Sequence, residues 1–171
     1  AVSHASAGDI VMVQNGIYKE NVLVSKSISL LGEEAKNTII IGTGGGNHGL
    51  AGITITADNV KVSGFTIQSL NYTSSNLYAT GINIQGDHST ISGNIIQNNY
   101  LGIFCSIQSY TQITENTISH NFKDGMRLYG GSLNNISDNN INSNVGSGIA
   151  IAGYSNTILR NILENNLRGI G

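Results

Sequence analysis

Short apolar runs alternate with polar residues along this chain, and from residue 52 onward they recur at a nearly constant spacing. Within each run the apolar residues stand at alternate positions, as in strands with one buried face. A glycine followed by two alternating apolar residues opens each repeat. These glycines are spaced by 29, 21, 23, 23 and 21 residues, at Gly52, Gly81, Gly102, Gly125, Gly148 and Gly169.

Aligning the repeats on these glycines places the apolar residues in four columns. The first two columns are Ile53, Ile82, Ile103, Met126 and Ile149, and Ile55, Ile84, Cys105, Leu128 and Ile151. The other two are Val62, Ile91, Ile113, Ile136 and Ile158, and Ile67, Ile96, Ile118, Ile141 and Leu163. Because such repeats bury their apolar faces only by stacking, the pattern predicts an all-β parallel β-helix with three strands per turn. We expect about six or seven turns of 21–23 residues.

A polar column accompanies the apolar ones and is expected at a corner of each turn. Asparagine tolerates the left-handed conformation and can hydrogen-bond along a stack, so the column predicts a structural amide ladder. Its members are Asn94, Asn116, Asn139 and Asn161. Cys105 stands in a column of isoleucine and leucine, so we expect a buried thiol that acts as a small hydrophobic side chain.

The first third of the chain is less regular. Residues 1–7 resemble the end of a helix, and strands are predicted at 10–13, 21–24 and 27–31. We expect one domain over residues 1–171, with an N-terminal cap remnant and first turns at 1–51 and regular repeats at 52–171. The glycine-rich stretch Gly44–Gly49 and the polar stretch 69–80 are predicted insertions between strands.

The composition narrows the classes of partner. There are 22 glycines, no proline and no tryptophan, and the net charge of −2 gives no basic surface for nucleic acid. No apolar stretch has the length of a membrane-spanning helix. The single cysteine excludes an intramolecular disulfide.

Two N-terminal segments resemble a known family. Gly8–Val22 and Lys26–Glu33 are similar to the opening turn of the pectin-lyase-like superfamily, most of all to its NosD-type and archaeal surface-protein branch. The resemblance implies a right-handed β-helix and a capping helix whose remnant is residues 1–5. It also implies an extracellular, cell-surface or periplasmic location, and we expect the sequence to be a fragment of a longer protein.

The catalytic motifs of the superfamily's enzymes are missing. The resemblance would imply Gln-Asp-Thr and Asp-Phe-Ile-Phe-Gly for pectin methylesterases, paired aspartates with Gly-His for polygalacturonases, and Arg-x-Pro-x-x-Arg for lyases. None occurs in this sequence. The leading hypothesis is therefore a non-catalytic surface scaffold with carbohydrate as a candidate ligand and no cofactor. The alternatives are a polysaccharide lyase or hydrolase, and a protein that self-assembles through open solenoid ends.

Asp58 and Asp87 are the best candidates for chemistry. Both stand six residues after a repeat glycine, so stacking would place their carboxylates about 5 Å apart. That separation suits a calcium ion or acid and nucleophile work on a glycoside. The alternative is that both are turn aspartates that accept backbone hydrogen bonds.

Exposed aromatic residues offer a candidate ligand surface. Asp87, His88, Tyr110, Tyr129 and Tyr154 are expected near one corner, where they could contact a sugar. The alternative is ordinary exposed tyrosines on strands. Glu115, Asp138 and Arg160 align in one column and are expected to form a surface charge ladder of small energetic weight. The histidines His4, His48, His88 and His120 lack metal-ligand spacing. The sequons at Asn71 and Asn135 are candidate glycosylation sites.

Overall fold

The computed structural model describes residues 1–43, 51–69 and 79–171, and within them the chain forms a right-handed parallel β-helix of about six turns. Three parallel sheets of seven strands each build its sides, as the apolar columns predicted. Corner 1 joins sheet 1 to sheet 2, corner 2 joins sheet 2 to sheet 3, and corner 3 returns from sheet 3 to sheet 1.

Each sheet takes one strand from every turn. Sheet 1 contains β1 (Ile10–Val13), β4 (Ser29–Gly32), β7 (Lys61–Ser63), β10 (Thr90–Ser92), β13 (Gln112–Thr114), β16 (Asn135–Ser137) and β19 (Thr157–Leu159). Sheet 2 contains β2 (Gly16–Tyr18), β5 (Thr38–Gly42), β8 (Thr66–Ser69), β11 (Ile95–Gln97), β14 (Thr117–Ser119), β17 (Asn140–Asn142) and β20 (Ile162–Glu164). Sheet 3 contains β3 (Val22–Val24), β6 (Ile53–Ile55), β9 (Thr80–Ile84), β12 (Leu101–Cys105), β15 (Met126–Ser132), β18 (Ser147–Tyr154) and β21 (Arg168–Ile170).

The four apolar columns form the core in the predicted register. Ile82, for example, pairs with Ile53 on one side and Ile103 on the other, and all three are fully buried. Complete burial of one such side chain stabilises a fold by about 1.5–3 kcal/mol. The stacked isoleucines therefore supply the main stabilising contribution, and the turns share one continuous core.

The repeat glycines are required by close packing between turns. A Cβ atom on Gly81 would lie 2.7 Å from the carbonyl oxygen of Gly102, and Gly102 and Gly125 are related in the same way. The glycines with positive φ stand elsewhere, at Gly8, Gly64, Gly93, Gly130 and Gly153. The repeat glycines therefore recur because this edge of sheet 3 has no space for a side chain.

Asparagine ladders fill two corners. The predicted ladder at corner 1 is present, with Asn94, Asn116, Asn139 and Asn161 joined by amide-to-amide bonds. A second ladder at corner 2, absent from the sequence-based prediction, contains Asn99, Asn121, Asn144 and Asn166. The prediction of left-handed asparagines in the corner 1 ladder is wrong, because the residue before each one takes that conformation: Gly93, Glu115, Asp138 and Arg160.

The N-terminal region differs from its prediction in two details. The expected helix end is a single 3₁₀ turn at Val2–His4, and a three-residue strand, Gly16–Tyr18, precedes the predicted strand near residue 22. No helix among the residues described is long and apolar enough to cross a membrane. Gly44–Gly49, His48 and Asn71 lie outside the described residues, so the predictions made for them stay predictions.

Candidate functional site

Most of the candidate residues lie at corner 3, in two adjacent columns. The first column precedes the corner and runs through Asp58, Asp87, Ser109, Ser132 and Tyr154. The second column has left-handed backbone conformation in every turn and contains Asn59, His88, Tyr110, Leu133 and Ser155. These side chains vary from turn to turn, unlike those of the asparagine ladders.

Asp58 and Asp87 are held by the backbone of the turn that follows each of them. Asp58 Oδ1 accepts the N–H of Asp87 at 2.8 Å, and Asp87 Oδ1 accepts the N–H of Ser109 at 2.9 Å. Asp58 is exposed and Asp87 is half-buried. Each carboxylate therefore orders its corner, and its second oxygen is the atom left for a ligand.

Metal ligands do not cluster in this region. Among the described residues, no group of three or more His, Cys, Asp or Glu side chains could hold a metal ion. A cation between Asp58 and Asp87 would therefore take most of its ligands from water or from a ligand molecule.

His88 and Tyr110 stack on each other across one turn. Their ring centroids are 4.8 Å apart and the rings are within 8° of parallel. The contact occupies one face of each ring, so a sugar would approach these side chains mainly at their edges. Both residues are exposed, and 51% of Tyr110 remains accessible.

Tyr129 belongs to a separate cluster on the outer face of sheet 3. Phe104 meets its ring edge-on at 6.4 Å, and the Arg127 guanidinium lies 5.6 Å from its centroid. Asp124, which is nearly buried, fixes Arg127 through an ion pair and accepts the N–H of Ser147 at 2.8 Å. The sequence-based predictions missed this cluster, although an aspartate in a column shared with leucine and serine was a signal.

The three candidate tyrosines occupy three different columns. Tyr129 is in register with Ala152, Tyr154 is in register with Ser132, and Tyr110 stands in the left-handed column. Tyr154 is the most exposed of them, at 82%. The structure therefore joins His88 to Tyr110 directly, and it leaves Tyr129 and Tyr154 as separate aromatic surfaces along the same side.

An extra residue widens corner 3 in two successive turns. From Cys105 to Ile113 and from Leu128 to Ile136 there are eight positions, against seven from Ile84 to Ile91. The extra length places Ile107 on the surface at 74% exposure, 3.7 Å from the position of a Cβ atom on Gly130. The unequal spacing of the columns could have revealed this bulge, which adds an apolar side chain beside Gly130.

Asn83 contributes a polar atom that has no partner. It lies in register between Thr54 and Phe104, and its Oδ1 is buried with no hydrogen bond to any of the described residues. An unsatisfied buried oxygen is costly, and it is commonest where a ligand or a water completes the structure. The outer face of sheet 3 thus combines an unpaired acceptor with an aromatic pair and an arginine.

The burial and hydrogen bonds of the remaining candidates are those of residues that stabilise the fold. Cys105 is buried, and this burial raises the pKa of its thiol from 9.0 to about 11, so it is not an activated nucleophile. Arg160 donates two hydrogen bonds to Asp138, which lowers the pKa of that exposed carboxyl group. Asn135 is half-buried within β16, and the hydroxyl residue of its sequon, Ser137, is buried.

Comparisons with known proteins agree with this architecture. The family model for the right handed beta helix region matches residues 47–171, so the chain belongs to the right-handed β-helix family. A search of curated proteins found no match.

Solved structures of the same fold include three pectin methylesterases. The carrot enzyme has a TM-score of 0.67 at 15% identity, with 92% of this chain and 56% of that chain covered. The Yersinia enterocolitica enzyme has a TM-score of 0.65 at 16% identity, with 91% of this chain and 59% of that chain covered. The Aspergillus niger enzyme has a TM-score of 0.53 at 11% identity, with 96% of this chain and 78% of that chain covered. The present chain thus spans little more than half the length of the first two, and the likeness is one of fold.

Proposed function

We propose that the protein is a non-catalytic surface scaffold that binds carbohydrate along the outer face of sheet 3 and corner 3. The observation that carries the proposal is the cluster of Phe104, Arg127 and Tyr129, held by Asp124. Aromatic faces pack on sugar rings, and the remaining guanidinium N–H groups can donate to hydroxyls. Tyr154 adds an accessible ring on the same side.

The class of ligand follows from fold and surface together. The structural neighbours are named as pectin methylesterases, and one of them was solved with a hexasaccharide, which makes a polysaccharide a reasonable ligand class here. A solenoid offers aligned side chains along its length, which suits an extended polymer. We place the protein with the NosD-type and archaeal surface proteins, outside the cytoplasm, at the cell surface or in the periplasm.

Affinity electrophoresis through gels that contain pectin, polygalacturonate or xylan tests this proposal. Retardation in at least one gel is expected. Tyr129→Ala and Tyr154→Ala should each weaken binding about two- to tenfold, because a ring–sugar contact is comparable to an aromatic pair of about 0.5–1.5 kcal/mol. Tyr18→Phe, on the first turn, is the matched control. Unretarded wild-type protein in every gel would contradict the proposal.

A polysaccharide-active enzyme is the alternative that Asp58 and Asp87 favour. Their free carboxylate oxygens stand in successive turns, beside the exposed His88. Release of methanol or of reducing ends from pectin, lost in the Asp58→Asn, Asp87→Asn double variant and dependent on calcium, would support this alternative. Self-association through strand edges is a further proposal, which sedimentation velocity over a range of concentrations tests.

A further inference from the structure

A groove runs along corner 2, on a different side of the β-helix from the surface discussed above. Its volume is about 380 Å³. It crosses four successive turns, which at about 4.8 Å per turn gives a length of about 14 Å along the axis. The residues that line it are Ser69, Asn98, Asn99, His120, Phe122, Ser143 and Val145.

An apolar ridge forms one wall of the groove. It is the column that follows the corner 2 asparagine ladder, and its members are Tyr100, Phe122, Val145 and Leu167. Phe122 is 51% exposed and Val145 is 60% exposed, so the ridge presents carbon surface to solvent. The Tyr100 and Phe122 rings lie 6.3 Å apart at 22°. A contiguous exposed apolar column is typical of a binding surface.

Hydrogen-bonding side chains of asparagine, histidine and serine form the other wall. Asn98 and His120 are exposed in the left-handed column, and Ser143 continues that column. The outer face of sheet 2 extends the same chemistry, since Gln97 donates to Gln68 at 3.3 Å and Asn142 donates to Asn140 at 2.9 Å. Amides and hydroxyls of this kind can pair with sugar hydroxyls.

Asp, Glu, Lys and Arg are absent from the sheet 2 strands and corner 2 residues of the turns that the groove crosses, although Glu164 lies in the next turn, in register with Asn142. The chain has 18 Asp, Glu, Lys and Arg residues, yet none occurs in 66–69, 95–100, 117–122 or 140–145. Lys123 directly follows Phe122, and its ammonium lies 5.7 Å from the ring centroid of Tyr100, so one cation lies against the ridge. An anionic polymer would therefore find no lysine or arginine among the residues that line the groove, whereas an uncharged one would meet polar groups and carbon surface.

We propose that this groove binds a segment of an uncharged polysaccharide, laid along the solenoid axis with a sugar face on Phe122. The site is a second one, on another corner, and it does not depend on Tyr129 or Tyr154. A second copy of the chain is the less favoured occupant, because the ridge is one residue wide and its flank is polar.

Isothermal titration calorimetry on the whole chain tests the proposal with cellohexaose, xylohexaose and mannohexaose as neutral probes and hexagalacturonate as the anionic probe. At least one neutral probe should bind, with a Kd that salt leaves unchanged because no ion pair forms. Phe122→Ala should raise that Kd about two- to tenfold, as expected for the loss of one ring–sugar contact, and Phe122→Tyr should retain binding. Leu159→Ala, at an exposed residue of sheet 1, should have no effect on it. The side chain of Phe122 is half-exposed, and an unchanged circular dichroism spectrum and melting temperature would show that the variant folds.

Several outcomes would overturn this inference. It is wrong if no neutral probe binds, if Phe122→Ala binds like the wild type, or if hexagalacturonate binds more tightly than every neutral probe and loses that binding in Phe122→Ala. A concentration-dependent dimer that Phe122→Ala dissociates would assign the ridge to a second copy. Binding that is lost in Tyr129→Ala or Tyr154→Ala but kept in Phe122→Ala would reject the groove and leave the proposed function standing. Binding that is lost in Phe122→Ala but kept in Tyr129→Ala and Tyr154→Ala would reject only the corner 3 surface.

Discussion

Corners 1 and 2 repeat one side chain from turn to turn, whereas corner 3 changes its side chains in almost every turn. Asparagine follows the left-handed residue four times at each of the first two corners. At corner 3 asparagine follows the left-handed residue only twice, at Asn134 and Asn156, which repeat the ladder bonds in the last turns. The column before it changes from aspartate to serine and then to tyrosine. The comparison indicates that the first two corners hold the turns together along their length, which leaves the earlier turns of the third free to carry surface chemistry.

The number of hydrogen bonds per residue explains this division. The Asn116 amide donates to Ile91 O, Thr114 O and Asn139 Oδ1, and its Oδ1 accepts from the backbone and the side chain of Asn94. Asp87 at corner 3 accepts one backbone N–H. Because the ladder asparagines are buried, any other side chain would leave several polar groups without partners.

Asn116→Ala should have the largest effect. It leaves the buried N–H of Asn94 and two backbone carbonyl groups unsatisfied, at about 1–3 kcal/mol for each group that water cannot reach. We expect a loss of about 3–5 kcal/mol in the free energy of unfolding, measured by urea denaturation. Asn140→Ala, an exposed asparagine one strand away, is the matched control and should change it by less than about 0.5 kcal/mol. Equal effects of the two variants would contradict a structural role for the ladder.

Cys105 tests whether the interior beneath the bulged turn at corner 3 is as dry as the rest. Its folded-state pKa is raised from 9.0 to about 11, so the folded protein keeps the thiol proton that the unfolded chain loses. The stabilisation from the neutral thiol is complete below pH 9 and is lost as the pH rises to about 11. At about 1.4 kcal/mol per pH unit, the wild type should lose about 2–3 kcal/mol more than Cys105→Val over that interval.

Urea denaturation of both proteins at pH 8, 9, 10 and 11 measures this difference. The comparison with Cys105→Val removes the contribution of lysine and tyrosine, which titrate in the same interval. Parallel pH profiles for the two proteins would mean that water reaches the thiol and that corner 3 opens into the core.

The core could be predicted from the sequence because the apolar columns repeat in the same order in every turn. Ile91 and Ile113 stand 22 residues apart, and stacking is the arrangement that buries both. The role of the repeat glycines was less accessible. Their side-chain position faces a carbonyl oxygen of the next turn, and that contact exists only after the turns have stacked.

The candidate site was predictable only in part. Sequence alignment placed Asp58 and Asp87 in one column, and the hydrogen bond between them agrees with that placement. It could not show that Phe104 and Arg127 converge on Tyr129, because this contact depends on side-chain directions across a sheet. The apolar ridge at corner 2 was hidden for another reason, since its column contains four different residue types.

Asp87→Ala should lower the free energy of unfolding least of these variants, and it gives the most direct comparison of corner 3 with corner 1. The variant removes one partly buried hydrogen bond to the Ser109 N–H, so we expect a loss of about 1 kcal/mol in the free energy of unfolding. Asp87→Asn keeps an acceptor oxygen and should retain most of that stability. Urea denaturation of this variant and of Asn116→Ala compares the loss in free energy of unfolding at corner 3 with the loss at corner 1. A loss as large as that of Asn116→Ala would mean that corner 3 also holds the turns together, and its varied side chains would then need an explanation other than freedom to serve a ligand.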